Sequence, residues 1–329
     1  MFSLEVITNS MLALKNTLYF SARWLMLFFL FACSHAYSNK SDHILFLLSK
    51  NSPDYQNVVN SIISNWSDSK ALSYEILIEK QQNQTKLDKI LAKSDIVISL
   101  GTSAADKLLA RKISQPVITT LITESAFNSL AEKYYGDIST AVTSGVNPLF
   151  LDQPFERRLR LASKLINKLN KVGFMVGPSA VKNQSIYTSS IKEKKLIPQM
   201  IAIDPDENPI RQLDPVIKSS DVFIPIVDSH FINVTTAKWI LQLGYRYRVP
   251  IIGYSANYVD AGALASVYSS PQDVSKQTLE LIESLLTKKH KHQIHSPKYC
   301  TVKFNKSVAW HLNLEISDEL EKHSGRCEL

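Results

Sequence analysis

Residues 93–98 read Lys-Ser-Asp-Ile-Val-Ile, and residues 219–224 read Ser-Ser-Asp-Val-Phe-Ile. In both, a polar step ending in an aspartate leads into a short apolar run. A run that brief has the length of a parallel strand buried on both faces; a helix needs a longer, 3.6-residue period. The repetition extends outward. Upstream, His43-Ile44-Leu45-Phe46-Leu47-Leu48 is matched by Lys171-Val172-Gly173-Phe174-Met175-Val176. Downstream, Gln115-Pro116-Val117-Ile118-Thr119 is matched by Val249-Pro250-Ile251-Ile252-Gly253. A proline can open such a strand, where no ladder donor is yet needed. Helical patterns lie between: Ala104, Ala105, Leu108 and Leu109 in one half, and Ala237, Ile240 and Leu241 in the other. Strands alternating with helices, twice over, predict an α/β protein of two doubly wound, Rossmann-like lobes joined by a hinge.

The join is legible. Phe155, Leu159, Ala162, Leu165, Ile166 and Leu169 follow the helical period, and Pro148 and Pro154 bracket the crossover before them. A last helix carries Val274, Leu281, Ile282, Leu285 and Leu286 on one face, with Asp273 at its start and Lys288-Lys289 at its end, as the helix dipole favours. At the N-terminus, Lys15 and Arg23 precede the apolar run 24–32, which is followed by Ser34-His35-Ala36. That is the form of a signal peptide spanning residues 1–36, with cleavage after Ala36 and a soluble periplasmic product. Two alternatives stay open: lipidation at Cys33 within a lipobox-like Leu30-Phe31-Ala32-Cys33, and an uncleaved anchor. Residues 37–150 then form the first lobe and 151–268 the second.

Composition excludes several classes. With 45% apolar and 20% charged residues spread along 329 positions, the chain has enough apolar material for two cores. The net charge of +7 is diffuse and not interleaved with aromatics, so no nucleic-acid partner is expected. There is no Walker A loop, G-x-S-x-G elbow, H-E-x-x-H or paired-cysteine zinc motif, so neither enzyme chemistry nor a cofactor is expected. His290, His292 and His295 lie among lysines and read as a basic linker, not a metal site. Removing Cys33 leaves Cys300 and Cys327, a candidate disulfide in an oxidising compartment or else two free thiols.

In open α/β sheets, ligands bind beyond the carboxyl ends of the strands. In the first half that end carries Gly101-Thr102-Ser103, a tight turn into a helix whose free N–H groups suit a ligand anion. In the second it supplies Ser179, Asn183, Asp228 and Ser229, where Asp228 suits a ligand ammonium or hydroxyl or else caps the following helix. Tyr254 and Tyr258 follow the strand 249–253 and offer apolar surface.

Four segments in order resemble the ABC-transporter substrate-binding family that includes the tryptophan/tyrosine-type binding proteins. They are Asp95 to Ala104, Asp152-Gln153-Pro154-Phe155-Glu156-Arg157-Arg158-Leu159-Arg160-Leu161, Asp260-Ala261-Gly262-Ala263-Leu264-Ala265-Ser266, and Val302 to Leu314. The resemblance covers about residues 40 to 320 and implies the type 1 periplasmic-binding-protein fold, with a small-molecule ligand held between the lobes. It implies three chain crossings, with residues 269–329 returning to complete the first lobe. It also assigns Gly101, Thr102 and Ser103 to the first-lobe ligand turn, Asp228 to the second-lobe strand end, and Gly262-Ala263 to the last cleft loop. A monomer serving the membrane permease of an ABC importer, or a sensor kinase in the alternative, follows from the same likeness. Two cleft segments depart from the family pattern, Thr120 to Ser125 and Val267 to Pro271, so an amino-acid ligand is not simply inherited.

Overall fold

The computed structural model describes residues 41–66, 72–81, 83–178, 180–204, 206–228, 231–287 and 292–322. The signal-peptide segment, Cys33, Ser179, Ser229, His290 and Cys327 therefore lie outside the described residues. Among those described, no helix is long and apolar enough to cross a membrane.

The first half runs β1 (Asp42–Leu48), α1 (Pro53–Ser64), β2 (Leu72–Ile78), α2 (Gln84–Lys93), β3 (Ile96–Leu100), α3 (Thr102–Leu109), β4 (Val117–Ile122), α4 (Glu124–Tyr135), α5 (Ile138–Thr143) and β5 (Val146–Phe150). Its five parallel strands are ordered β2-β1-β3-β4-β5. The second half runs α6 (Phe155–Leu165), β6 (Lys171–Val176), α7 (Gln184–Glu193), β7 (Ile197–Ala202), α8 (Pro209–Lys218), β8 (Val222–Phe223), α9 (Val234–Tyr247), β9 (Ile252–Gly253), α10 (Ala256–Asp260) and β10 (Ala265–Tyr268). Here β7-β6-β8 meets β9-β10 through a parallel bridge between Phe223 and Ile251. The strand order of one half is thus the strand order of the other.

The repeated aspartates do one job in both halves. Asp95 accepts from the His43 amide at 2.9 Å, and its own amide donates to the His43 carbonyl. Asp221 accepts from the amides of Asn170 and Lys171 at 2.9 and 2.7 Å and likewise returns its amide to Lys171. Each therefore pins the start of the central strand to the start of its neighbour. The strands behind them are apolar because helices cover both faces: α1 on one side of β1 and β3, α2 and α3 on the other.

The C-terminal stretch corrects the expectation that 269–329 would lie wholly with the first half. α11 (Pro271–Leu286) does pack on α1, with Val274, Leu281 and Ile282 in the core around β1. His295 then bridges to Leu149 beside β5. But β11 (Thr301–Phe304) pairs antiparallel with β10, and Val302, Ala309 of α12 (Lys306–His311) and Leu320 of α13 (Asp318–Lys322) enter the core around β6. The reason is topological: a third crossing from the first half must deliver whatever follows it to the second.

The three crossings are stitched together by two side chains. Gln153 Nε2 donates to Ser269 Oγ at 2.7 Å and to the Tyr299 carbonyl at 3.0 Å, touching the second and third crossings from the first. Arg157 Nη1 donates to Gln153 Oε1 and to the Pro297 carbonyl, and Nη2 to the Lys298 carbonyl. Arg157→Ala should therefore lower the free energy of unfolding by about 2 kcal/mol, the range for hydrogen bonds to a charged group. Arg157→Lys should recover only part, because an ammonium cannot reproduce the fork. Urea denaturation of the three proteins measures both, and an unshifted Arg157→Ala midpoint would show the clamp to be idle.

Candidate functional site

At the carboxyl end of β4 the backbone is forced out of regular pairing. The register against β5 shifts between Thr119 and Ile122, and Leu121 sits at φ +53°, a left-handed conformation that costs a leucine about 1 kcal/mol or more. The bulge aims the following turn into the space between the halves. There Thr123 caps α4 by accepting from Ala126, and Asp152 Oδ2, from the first crossing, accepts from the Glu124 amide at 2.6 Å. A first-half helix is thereby tied directly to the hinge.

Around this point lies a cavity of about 170 Å³. Glu124, Ser125, Asn128 and Phe150 line it from the first half, Asp152, Gln153 and Pro154 from the crossing, and Arg158, Asn183 and Tyr187 from the second half. Burial pushes the Asp152 carboxyl up to about 6 and raises Glu124 as well. Burial also pushes the Tyr187 hydroxyl up to about 12; its ring packs edge-on against Phe155 at 5.3 Å. Arg158 is 5% exposed; its Nη1 donates to the Pro225 carbonyl at 2.6 Å, and burial lowers its pKa. Two buried polar atoms, Arg158 Nε and Asn128 Oδ1, have no hydrogen-bond partner. The cavity thus holds acidic groups on one wall and a guanidinium on the other. Among the described residues, no cluster of His, Cys, Asp and Glu could hold a metal.

The described residues read from sequence fall elsewhere, apart from Asn183. Gly101 makes its turn at φ +90°, with its amide on the Thr120 carbonyl. Thr102 and Ser103 are exposed; Ser103 donates to Glu79, while the Ala104 amide is taken by Ser49. Asp228 is fully buried and accepts from the Ala180 amide at 2.9 Å, behind a loop where any Cβ on Gly177 would come within 2.6 Å of its carboxyl carbon. Tyr254 stacks on Tyr258 at 5.0 Å. Gly262 lies beside Val249 and Pro250 at the amino end of β9, away from the cleft, and Ala263 is fully buried. None of these described positions lines the cavity. Cys300 is buried and disulfide-bonded, while Cys327 lies outside the described residues.

A signal for Arg158 was present. Phe155, Arg158, Leu159 and Ala162 share one helical stripe, so a charge sits on the face that must be buried. In the sequence, however, the Asp152-to-Arg158 segment has the pattern of a crossover.

Residues 68–327 match the family model described as ABC transporter substrate binding protein. The chain belongs to the ABC transporter substrate binding protein family. Solved structures with the same fold include a ligand-free, open substrate-binding protein with adhesive properties from Clostridium difficile, CD0873 (TM-score 0.63, 14% identity, 86% of this chain and 98% of that one). Another is an ABC domain from Streptococcus pneumonia in complex with L-Trp (TM-score 0.57, 17% identity, 87% and 99%). A conserved domain protein from Vibrio cholerae is similar at TM-score 0.57 and 16% identity, again over 87% and 99%. No curated protein matches the chain. Periplasmic binding proteins of type 1 share this two-lobed α/β fold, with the cavity between the lobes.

Two outcomes follow from the site. Asp152 has a folded pKa of about 6 against an ordinary 3.8, so the folded chain holds a proton over that window which the unfolded chain has lost. Its contribution is complete below the lower value and lost as pH rises to the upper, a fall of up to about 3 kcal/mol. Asp152→Asn keeps an acceptor for Glu124 and should flatten the decline, raising stability at pH 8; an equally steep decline in chemical denaturation from pH 4 to 7 would acquit Asp152. Asp228→Ala removes one of the two acceptors of the Ala180 amide, the other being the Gly177 carbonyl, and should lower ligand-free stability by about 1 kcal/mol. An unchanged ligand-free melting temperature with weaker ligand binding would return Asp228 to the ligand's contacts.

Proposed function

We propose that this substrate-binding protein is exported to the periplasm and captures a small polar or amino-acid-like solute between its lobes for an ABC importer, performing no chemistry itself. The observation that carries this reading is a cavity walled by both halves and the first crossing, with apolar patches such as Phe150 and Phe155 beside charged groups of both signs. A solute touching Glu124 or Asn128 on one side and Arg158 or Tyr187 on the other makes its full set of contacts only when the lobes are closed. Differential affinity of that kind shifts an open population toward the closed form, which a membrane permease then recognises. The L-Trp complex of a neighbour with the same fold adds support for an amino-acid-like ligand.

The test is to denature the mature protein purified from periplasm and identify the released small molecules by mass spectrometry. Each is then returned to stripped protein. At a hundredfold excess over its dissociation constant, a true ligand stabilises the fold by about 2.7 kcal/mol, read as a raised melting temperature. The released compound should be recovered unchanged after incubation. Its conversion would make the protein an enzyme, and the absence of any stabilising compound would sink the solute-binding reading.

A further inference from the structure

The second half carries an apolar pocket of about 210 Å³ that the cavity between the halves does not use. Leu241 and Tyr245 of α9, Val249 and Ile251 ahead of β9, and Val308 and Leu312 of the α12 region line it. His311 closes one side by stacking on Tyr245, with ring centres 4.9 Å apart and planes within 8° of parallel. An apolar cavity of roughly 150 Å³ takes a benzene ring, so this pocket has room for a two-ring side chain. Beside it stands Trp310 of α12, 82% exposed and the most exposed large apolar side chain among the described residues. Tyr245 is 70% exposed. The orientation of α12 is fixed by Ala309, which is buried in the core around β6. Successive helical residues turn by about 100°. Counted from exposed Ser307, Val308, His311 and Leu312 fall on one flank of α12 and Trp310 on the other. The ridge from Ser307 to His311 thus separates the indole from the pocket of its own chain.

We infer that this face binds a second copy of the chain, the Trp310 side chain of each copy entering the pocket of the other. A two-fold axis through the Ser307–His311 ridge carries each indole from its own flank onto the opposite pocket. One operation therefore fills both pockets, and the assembly closes as a dimer. Two Trp310 and two Tyr245 side chains, at roughly 150–250 Å² each, hide about 600–1,000 Å². Interfaces of standard size bury roughly 1,200–2,000 Å², so the dimer is a weak, reversible one, in contrast to the monomer that the family resemblance implies. The neighbouring lysines are already balanced: Lys303 pairs with Asp260 and Lys306 with Glu321, each at 2.6 Å. Like surfaces can then meet there without opposing those charges. The pocket lies at the amino end of β9, away from the cavity between the halves, so dimer formation and solute capture do not compete.

Analytical ultracentrifugation of the mature full chain, with no solute added, over roughly 1 to 500 μM should show a monomer–dimer equilibrium. Trp310→Ala should weaken it about 100-fold or more, because each dimer loses two central aromatics. The melting temperature of the dilute protein should stay where it is, since the indole is exposed. Trp310→Phe, with a smaller ring, should fall between. Ser307→Cys lies at the axis and should cross-link two copies under mild oxidation. Val234→Cys, at the far end of α9 and 73% exposed in the native valine, should not. A monomer at every concentration, a dimer that Trp310→Ala leaves intact, growth beyond the dimer, or equal cross-linking at both cysteines overturns the inference. Arg246 and Arg248 are exposed next to Tyr245, so vesicles of phosphatidylglycerol form a second arm. A monomer that sediments with them through Trp310 assigns the face to lipid and overturns the dimer. None of these results touches solute capture.

Discussion

Gln153 and Arg157 hold three separate passages of chain against one another, and both the hinge and the site depend on that contact. Two lobes joined by independent strands would drift relative to one another, and a cavity between them would have no fixed shape. Here the first crossing donates to the second and third through one amide, and a guanidinium closes the ring from the next helix. Gln153 itself lines the cavity, its neighbour Asp152 accepts from the α4 amide, and the next helical turn presents Arg158. The cavity lining and the first crossing therefore share one seven-residue segment, 152–158.

The local chemistry explains why the cavity is polar although the sheets behind it are apolar. A strand in a parallel sheet buries both faces, so its side chains are chosen for packing, and the polar groups collect where the strands end. β4 and β5 deliver Glu124 and Asp152, and the bulge at Leu121 turns the first of these toward the cleft. The second sheet delivers Ala180 and Asn183 by way of the loop that Asp228 braces. Asp228 is thus a support for the wall, and the direction of its hydrogen bond, from a backbone amide, is that of a loop tie.

Much of the fold was legible because it is a repeat. Asp95 and Asp221 announced the equivalent strands, and the apolar runs beside them marked parallel strands in both halves; the order of those strands is given by the structure. The placement of the last strand was not legible: the segment from Val302 resembles the family's final strand and helix, but only the pairing of Val302 with Val267 places it in the second sheet. The site was harder for a physical reason. Strand-end turns look alike whatever they meet, and the turn Gly101-Thr102-Ser103 runs beside Ser49 and Glu79, to which the Ala104 amide and Ser103 donate. Which turn faces the cavity depends on the relative placement of the halves, and no local pattern encodes that. Asp152 and Arg158 were visible as residues but were absorbed into a crossover motif.

The distribution of charge also bears on how the first crossing is held. Arg158 attracts Asp152 and Glu156 across low-dielectric surroundings, yet each of those carboxylates is committed to another donor. Moving Asp152 onto Arg158 would cost the Glu124 amide its acceptor at the start of α4, whereas Ser190 could fall back on the Ile186 carbonyl if Glu156 left it. The Asp152 tie is therefore the more costly one to exchange, and it keeps α4 on the first crossing while Arg158 holds the Pro225 carbonyl.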